Sequence, residues 1–340
     1  MSGISVAELD DEMATPGEAV IECLRNCSGD FAVLGAGGKM GFHLCLMLRK
    51  ALDALGRDNK VRAVSRFGSV RDREEFGRIG CEVWPADLSD PAQLEKLPDS
   101  ENIFYLAGVK FGTSHAPGLL QKMNVEMPQL VVERFRNSDF VALSTGCVYS
   151  FVSPDTGGAT EADETNPPGD YANSCKGREQ AFFDVATRYG TKSALIRLNY
   201  AIDLRYGVLI DIAEKVYAGE PVDVSTGYVN VIWQRDAIRH TIRSLEYVSA
   251  PPFLLNVTGP ETLSVRELAE AFGGRFGKDA LITGVEEPTA WLNNAARSHR
   301  LFGTPETGIG EMIYRVADWI EAGGDRLGKP TCFEIRDGNY

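Results

Sequence analysis

The stretch that decides the fold is Phe31-Ala32-Val33-Leu34-Gly35-Ala36-Gly37-Gly38-Lys39-Met40-Gly41. Its first four residues are apolar and predict a short strand, and residues 40–52 then recur at helical spacing. Glycines at every third position of the turn leave room for a tight bend, for backbone to approach a pyrophosphate, and for the helix to pack near the strand. The first N–H groups of the helix attract phosphate. We therefore predict a dinucleotide site built from Gly35, Gly37, Gly38, Lys39, Met40 and Gly41.

Short apolar segments alternate with helical segments as far as residue 198. The predicted strands are 31–34, 61–64, 82–84, 102–106, 140–144 and 193–198, and the predicted helices include 40–52, 71–79, 124–136 and 171–188. This alternation is typical of a parallel sheet that helices cover on both faces. Further along, helices are predicted at 208–218, 264–272 and 311–322, and strands at 228–233 and 251–257. The sequence thus predicts an α/β fold, a Rossmann-type doubly wound parallel sheet with a smaller C-terminal substrate lobe.

Three parts of the chain are predicted. Residues 1–29 form an N-terminal extension, loose up to about residue 15 and then helical from Glu18 to Cys27. Residues 30–198 together with about 228–258 form the dinucleotide-binding domain, and residues 199–227 together with 259–330 form the substrate-binding lobe. A chain of 340 residues is longer than one hydrophobic core usually supports, which favours this division.

Composition and charge exclude several classes of function. The net charge of −13 argues against general binding of nucleic acid or of an anionic membrane, because both require a positive surface. Seven irregularly spaced cysteines and four scattered histidines form no pattern of metal ligands, so no metal site is predicted. We predict a cytoplasmic protein, because the number of cysteines is odd and the chain starts with acidic residues. We predict no membrane partner, because the sequence has no apolar run of the roughly 20 residues that span a membrane.

The end of the second strand indicates which dinucleotide binds. An acidic residue there would bind the ribose hydroxyls of NAD, whereas this strand runs into Ser65 and Arg66. Arg66 can pair with a 2′-phosphate and Ser65 can donate a hydrogen bond, so the sequence favours NADP over NAD. Further cofactor contacts are predicted after the third and fourth strands, at Asp87, Leu88, Ala107 and Gly108.

Further motifs follow the glycine turn along the chain. They are Ala86-Asp87-Leu88, Leu106-Ala107-Gly108, Asn124, Ser144-Thr145-Gly146-Cys147-Val148-Tyr149, Tyr171, Arg197-Leu198-Asn199, Asn256-Val257-Thr258-Gly259 and Ser264-Val265-Arg266-Glu267-Leu268. In this order and spacing, the sequence resembles the extended short-chain dehydrogenase/reductase family, the group of NAD-dependent epimerases and dehydratases, from about residue 30 to 320. The resemblance implies a cofactor-dependent oxidoreductase or epimerase.

The resemblance also implies roles for individual residues. Thr145, with Ser144 beside it, would hold the substrate hydroxyl or carbonyl, and Tyr171 would act as the general acid/base. Lys110 matches a cofactor-contacting lysine of galactose epimerases, and Asn124 matches a structural asparagine beneath the site. A phenol has a pKa near 10. The family therefore places a lysine four residues after the tyrosine, on the same helical face, to lower that pKa.

The chain departs from the family at that lysine. Cys175 stands four residues after Tyr171, and Lys176 stands five residues after it, about 140° round the helix instead of about 40°. Three hypotheses follow. Another cation, Lys110 or Arg178, tunes Tyr171; or a local bulge brings Lys176 round; or the chain keeps the cofactor site and has lost redox catalysis. The first two describe an enzyme acting on a carbohydrate-like hydroxyl or carbonyl, and the third describes a non-catalytic NADP-binding sensor or scaffold.

The substrate side has weaker signals. Asn199 matches a substrate-side asparagine of the family, and Asn230, Trp233 and Gln234 are candidates to line a pocket for a polyol, sugar acid or ketone. Arg205, next to Tyr206, is a candidate to bind an anionic group of the substrate. The alternatives are that Trp233 belongs to the core and that Arg205 belongs to a solvated surface pair. Sugar-nucleotide members usually carry an arginine where this chain has Val229 or Asn230, which weakens the case for a diphosphate-containing substrate.

Many relatives form dimers through the two helices that follow the fourth and fifth strands. Here those helices are 124–136 and 171–188. The predicted partners are therefore a small-molecule substrate and a second copy of the chain. The apolar face proposed for the homodimer consists of Val125, Leu130, Val131, Ala181, Phe182 and Val185.

Overall fold

The structure, a computed structural model, describes residues 4–68, 70–110, 117–329 and 331–336. Its strands in chain order are β1 (Phe31–Leu34), β2 (Val61–Ser65), β3 (Glu82–Pro85), β4 (Asn102–Tyr105), β5 (Asp139–Thr145), β6 (Ser193–Leu198), β7 (Ala201–Ile202), β8 (Val222–Asp223), β9 (Tyr228–Val229), β10 (Ile232–Trp233), β11 (Phe253–Val257), β12 (Leu263–Ser264) and β13 (Ile282–Thr283).

The α-helices in chain order are α1 (Val6–Met13), α2 (Gly17–Asn26), α3 (Gly41–Ala54), α4 (Arg73–Arg78), α5 (Pro91–Leu94), α6 (Pro117–Leu120), α7 (Met127–Arg134), α8 (Asp170–Tyr189), α9 (Val208–Ala218), α10 (Gln234–Arg243), α11 (Val265–Phe276), α12 (Ala296–Phe302) and α13 (Ile309–Glu321). A π-helix, Gln121–Glu126, joins α6 to α7. In this described part of the chain, every helix is too short or too polar to cross a membrane.

Seven strands form one parallel sheet in the order β11-β6-β5-β4-β1-β2-β3. The order of the strands reverses at β1, which pairs with β2 on one side and with β4 on the other. The loops that leave β1 and β4 therefore diverge and open a crevice at the carboxyl ends of the strands, where sheets of this kind bind ligands. This topology confirms the predicted α/β class and its doubly wound parallel sheet.

Both faces of the sheet are covered, as the apolar strands require. Phe31 and Val33 face a core that includes residues of α2, α3 and α10. Ala32 and Leu34, on the opposite face, join a core that includes residues of α7 and α8. Because β1 is buried on both faces, its sequence is continuously apolar and does not alternate with polar residues.

The smaller lobe surrounds a separate core that is made chiefly by α9, α11 and α13. Pairs of two-residue strands hold its loops together, β8 with β13 in parallel and β9 with β12 in antiparallel orientation. Helix α9 begins directly after Gly207 and carries Asp211 in its first turn. Tyr206, just before α9, has its ring centroid 4.5 Å from the ammonium of Lys39 in the turn after β1, so this end of α9 lies beside that turn.

Residues 5–14 are not loose, contrary to prediction. Ser5 and Glu8 form a capping box at the start of α1, and Leu9 and Met13 are buried in the core of the smaller lobe. The following helix, α2, contributes Val20 to the core beneath the sheet. A helix as short as α1 shows too few turns for its apolar spacing to stand out in the sequence.

The predicted strand 228–233 divides into two pieces that leave the main sheet. Residues 228–229 pair with β12 in the smaller lobe, and residues 232–233 pair with β7. Of the segment 228–258 assigned to the dinucleotide-binding domain, only β11 pairs in the main sheet. The side chain of Asn230 separates the two pieces, because it bonds to the carbonyl of Glu261 at 2.8 Å and to the N–H of Asn293 at 2.8 Å.

The proposed dimer face is largely used inside the protein. Four of its six residues are at most 2% exposed and pack on the face of the sheet that α7 and α8 cover: Val131, Ala181, Phe182 and Val185. Leu130 remains exposed on α7. The apolar character of these helices therefore reflects packing on the sheet, and it gives no independent sign of a dimer.

Candidate active site

The turn after β1 has the close approaches that a bound pyrophosphate requires. Gly35 has a φ of +90°, and a Cβ atom there would lie 2.6 Å from the backbone nitrogen of Ala107. A Cβ atom on Gly41, the first residue of α3, would lie 2.2 Å from the carbonyl oxygen of Ala36. No side chain of the described residues caps the start of α3. The N–H of Gly41 donates to the carbonyl of Gly38 at 3.3 Å, so the next N–H groups of the first turn are the ones that can bind phosphate oxygens. The turn therefore fits a dinucleotide.

Replacing Gly41 with alanine is expected to lower the free energy of unfolding by about 1–3 kcal/mol or more, because the new methyl group meets backbone that cannot rotate away. Gly38→Ala is the matched control, since the nearest atom to its Cβ would be the Gly35 carbonyl oxygen at 3.4 Å, an ordinary contact. Thermal unfolding of both variants measures the difference. Equal melting temperatures for the two variants would contradict this explanation of the turn.

The open part of the crevice lies beside this turn. Arg66 is 69% exposed at its edge, and its Nη1 lies 3.9 Å from Oδ2 of Asp87. Hydrogen bonds from the hydroxyl and N–H of Ser89 lower the pKa of Asp87. The crevice is lined by Gly35, Gly37, Gly38, Ser65, Arg66, Phe67, Ala86, Asp87, Leu88, Leu106, Ala107, Gly108, Met123 and Met127. The structure thus brings most of the predicted cofactor residues together on one surface.

Asn124 holds the loop that follows β4. Its Oδ1 accepts the N–H of Val109 at 2.9 Å, and its Nδ2 donates to the Val109 carbonyl at 2.8 Å. Asn124 is fully buried, so it supports this loop from inside the protein. The same loop carries Gly108, where a Cβ atom would lie 2.2 Å from Nη2 of Arg178. A side chain at position 108 would therefore displace the Arg178 guanidinium from its hydrogen bonds to Asn124 and Leu143.

Helix α8 carries both Tyr171 and Lys176, and its regular geometry directs Lys176 away from Tyr171. The helix is unbroken from Asp170 to Tyr189, and the Lys176 ammonium donates to the carbonyl of Thr165 at 2.6 Å. The hypothesis that a bulge turns Lys176 towards Tyr171 is therefore wrong. Cys175, one turn after Tyr171, is fully buried.

Two other cations lie near Tyr171. Arg178 is buried and donates to Oδ1 of Asn124 at 2.9 Å and to the carbonyl of Leu143 at 3.1 Å. The Lys110 ammonium lies 5.8 Å from the centroid of the Tyr171 ring. Burial and the neighbouring Cys175 raise the pKa of Tyr171 well above its ordinary value, and Arg178 only partly opposes them. Without a ligand, Tyr171 is therefore a neutral phenol at pH 7.

The two hydroxyl residues at the end of β5 have different surroundings. Oγ1 of Thr145 accepts the N–H of Cys147 at 3.2 Å, and Thr145 is only partly buried. The hydroxyl of Ser144 is buried and donates to Glu179 at 2.6 Å. Because neighbouring residues of a strand point to opposite faces, Ser144 cannot serve the site beside Thr145. The assignment of Ser144 as catalytic is therefore corrected to a structural one.

Lys39 reaches from the glycine turn towards the smaller lobe. Its ammonium donates to the carbonyl of Ala201 at 2.7 Å and lies 4.5 Å from the centroid of the Tyr206 ring. Burial lowers the pKa of Lys39 to about 8. Met40 instead packs against the core beneath the sheet. Of these two predicted cofactor residues, only Lys39 directs its side chain towards the smaller lobe.

Trp233 and Arg205 lie inside the protein. Trp233 is fully buried in the core of the smaller lobe. Arg205 is 7% exposed and pairs with Asp203 at 2.7 Å and with Asp10 of α1 at 3.0 Å. Neither side chain has surface left for a ligand, which corrects their assignment to substrate binding.

The two predicted substrate asparagines are also committed to protein contacts. Asn199 is buried and donates to the carbonyl of Trp291 at 3.2 Å. Both ends of the buried Asn230 amide are bonded to backbone, as described for the divided strand. Asn199 therefore holds Trp291 in place, and Asn230 holds Glu261 and Asn293. The assignment of both asparagines to substrate contact is corrected to a structural role.

Sequence reasoning missed two residues beside Lys110. The N–H and hydroxyl of Thr331 both donate to Oδ2 of Asp211, at 2.8 and 2.5 Å. Burial raises the pKa of Asp211 to about 6. The available signal was a carboxylate within the apolar run Val208-Leu209-Ile210-Asp211-Ile212-Ala213. Thr331 has no comparable signal. Among the residues that the structure covers, no cluster of three or more His, Cys, Asp or Glu side chains is placed to hold a metal ion.

A doubly wound parallel sheet with this glycine turn defines a Rossmann-type dinucleotide-binding protein. The sequence model of the NAD dependent epimerase/dehydratase family matches residues 31–223. The chain belongs to that family. No curated protein matches the chain.

Several solved structures share the fold. The UDP-glucose 4-epimerase of Thermotoga maritima, with UDP-glucose, is 17% identical with a TM-score of 0.70, over 86% of this chain and 99% of that chain. The UDP-glucose 4-epimerase of Thermus thermophilus, in complex with NAD, is 20% identical with a TM-score of 0.69, over 86% and 99%. A dTDP-glucose 4,6-dehydratase of Streptomyces venezuelae, with NAD bound, is 17% identical with a TM-score of 0.73, over 86% and 96%. At these identities the likeness shows the fold alone.

Proposed function

We propose that the protein is an NAD(P)-dependent oxidoreductase or epimerase that acts on a hydroxyl or carbonyl group of a carbohydrate-like small molecule. The observation that carries this proposal is the environment of Tyr171. Its phenol lies in the field of the buried Arg178 guanidinium, and the Lys110 ammonium is 5.8 Å from the centroid of its ring. Two cations other than the family lysine are therefore available to tune the general acid/base.

Tyr171 holds the proton that moves with the reaction. A bound nicotinamide supplies the hydride acceptor or donor. As a neutral phenol, Tyr171 donates its proton to the oxygen of a carbonyl that is being reduced. In the opposite direction it takes the hydroxyl proton, and the positive charges of Arg178 and Lys110 stabilise the phenolate. Since Oγ1 of Thr145 already accepts the N–H of Cys147, its own proton remains available to hold the substrate oxygen.

We propose that the cofactor is held by the glycine turn together with Ser65, Arg66, Asp87, Leu88, Ala107 and Gly108. NADP is proposed over NAD because the exposed Arg66 guanidinium stands at the edge of the crevice, where it can pair with a 2′-phosphate. Two of the similar structures contain NAD. Both cofactors therefore belong in the test.

The test is a titration of the protein with NADH and NADPH by fluorescence, followed by hydride exchange with a panel of sugars and nucleotide sugars. We expect saturable binding, tighter for NADPH, and exchange that Tyr171→Phe removes while leaving cofactor binding unchanged. Exchange that persists in Tyr171→Phe at the wild-type rate would overturn the role of Tyr171. Binding that is tighter for NADH would overturn the preference for NADP.

The second candidate is a non-catalytic dinucleotide-binding sensor or scaffold. The observation that favours it is the raised pKa of Tyr171 beside the buried Cys175, because a phenol that stays protonated is a poor base. Saturable cofactor binding without hydride exchange, in the wild-type protein and across the whole panel, supports the sensor over the enzyme. The homodimer remains a prediction that only the family resemblance carries.

A further inference from the structure

The C-terminal segment Thr331–Arg336, which we call the strap, crosses between the two lobes. Phe333 is 2% exposed in the core of the smaller lobe, and its carbonyl accepts the hydroxyl of Thr226 at 3.0 Å. Glu334 pairs with Lys215 of α9 at 2.5 Å. At the far end, the Arg336 guanidinium lies 4.3 Å from the ring centroid of Phe151, in the loop after β5. The strap is thus anchored in one lobe and touches the other.

Thr331, the first residue of the strap, joins a cation and a carboxylate across the site. Its carbonyl accepts a hydrogen bond from the Lys110 ammonium at 3.2 Å. Its N–H and hydroxyl donate to Oδ2 of Asp211. Because Lys110 also lies beside Tyr171, Thr331 links Asp211 to a cation of the proposed active site.

We propose that Lys110 and Asp211 form a binding site for the hydroxyl groups of a sugar or of the cofactor ribose, and that Thr331 occupies this site as an internal stand-in. The inference rests on the proposed function, since Tyr171 marks where the reacting groups meet. Neighbouring hydroxyls offer an acceptor oxygen to an ammonium and O–H donors to a carboxylate, as Thr331 does here. A ligand therefore displaces the strap before it reaches Tyr171.

The charges of the two groups support a ligand site over a purely structural contact. Burial lowers the pKa of Lys110 and raises that of Asp211, so both charged forms are disfavoured where they stand. Groups perturbed in this way cluster at binding sites. A ligand with the same hydrogen-bonding pattern replaces the bonds that Thr331 makes to Lys110 and Asp211. Both groups therefore keep a hydrogen-bond partner when the ligand takes the place of Thr331.

Hydrogen exchange in the full-length protein tests the displacement, with NADH and UDP-glucose as separate probes. We expect the strap amides to exchange at least about tenfold faster when the displacing probe is bound, because each hydrogen bond to a charged group is worth about one factor of ten. Displacement by NADH alone assigns the site to the cofactor ribose. Displacement by UDP-glucose but not by NADH assigns it to hydroxyl groups of a nucleotide sugar and not to the cofactor. Slower exchange with either probe would overturn the proposal, since the strap would then close over the ligand.

Variants give a second measurement that does not depend on turnover. Thr331→Pro removes the N–H and the hydroxyl that bind Asp211, and should tighten binding of the displacing probe about tenfold, because less of the protein is blocked. Adding Asp211→Ala should cancel that gain. The matched control is Arg326→Ala, which breaks the nearby ion pair with Glu214 outside the strap. Circular dichroism confirms that each variant is folded.

The outcomes separate this inference from the proposed function. Equal affinities for both probes in wild type and Thr331→Pro would overturn the stand-in and leave the cofactor site intact. Binding of NADH and NADPH by neither protein would overturn both. NADH binding that emerges only in Thr331→Pro would support both.

Discussion

Replacing Arg178 with methionine is expected to lower the rate of hydride exchange by about a hundredfold, within the range that positioned acid–base groups supply. The Arg178 guanidinium opposes the burial that raises the pKa of Tyr171. Without this charge the pKa rises further, so less phenolate is present at any given pH. The rate of alcohol oxidation rises with pH as Tyr171 loses its proton. In Arg178→Met, this rising limb of the pH–rate profile should move to higher pH.

The pH profile distinguishes this role from a structural one. Arg178 also bonds to Asn124, which holds the loop after β4, and a merely loosened loop would lower the rate equally at every pH. Arg178→Lys keeps the charge and should restore part of the shift. Lys176→Met is the matched control on the same helix, since the Lys176 ammonium is bound to Thr165. A profile in Arg178→Met that keeps its wild-type position would rule out the electrostatic role.

The main sheet is predictable from sequence because its signals are local and complete. Strand β6 and helix α9 have the predicted bounds, Ser193–Leu198 and Val208–Ala218. The strand is a short, mostly apolar run, and the apolar residues of the helix recur at helical spacing, so each pattern indicates a single type of element. The two short strands at 228–233 fail for the opposite reason. Their apolar run reads as a single strand, and only the distant partners of Asn230 divide it.

The two halves of the site differ in the same way. The cofactor half is made from motifs of a few consecutive residues, each with a steric reason, and these lie together in the structure. On the substrate side, the polar side chains form ion pairs or hydrogen bonds with residues that are distant in the sequence. Arg205 is paired with Asp10 of α1, and Lys110 is bound to Thr331 of the strap. Composition and spacing cannot distinguish a polar side chain that faces a ligand from one that a remote partner has already bound.

Replacing Glu179 with glutamine is expected to lower the free energy of unfolding by about 3–5 kcal/mol, the usual effect of breaking a buried ion pair. Glu179 and Arg197 are at most 5% exposed, and they are joined by two hydrogen bonds of 3.0 and 2.7 Å. Glutamine keeps the shape of the side chain, so the loss comes from the Arg197 charge, which remains buried without a counter-charge. Ser144 also loses its carboxylate acceptor.

Chemical denaturation of the variant measures this loss, and two comparisons locate its cause. Glu133→Gln breaks an exposed pair with Arg188 and should cost less than about 1 kcal/mol. Replacing Glu179 and Arg197 together with methionine should cost less than Glu179→Gln alone, because no uncompensated charge then remains. A double replacement that costs more than the single one would show that packing, not charge, dominates. Since Glu179 lies on α8 with Tyr171, Cys175 and Arg178, the ion pair also fixes the helix that presents the proposed acid/base. Glu179→Gln should therefore lower hydride exchange even where the variant remains folded.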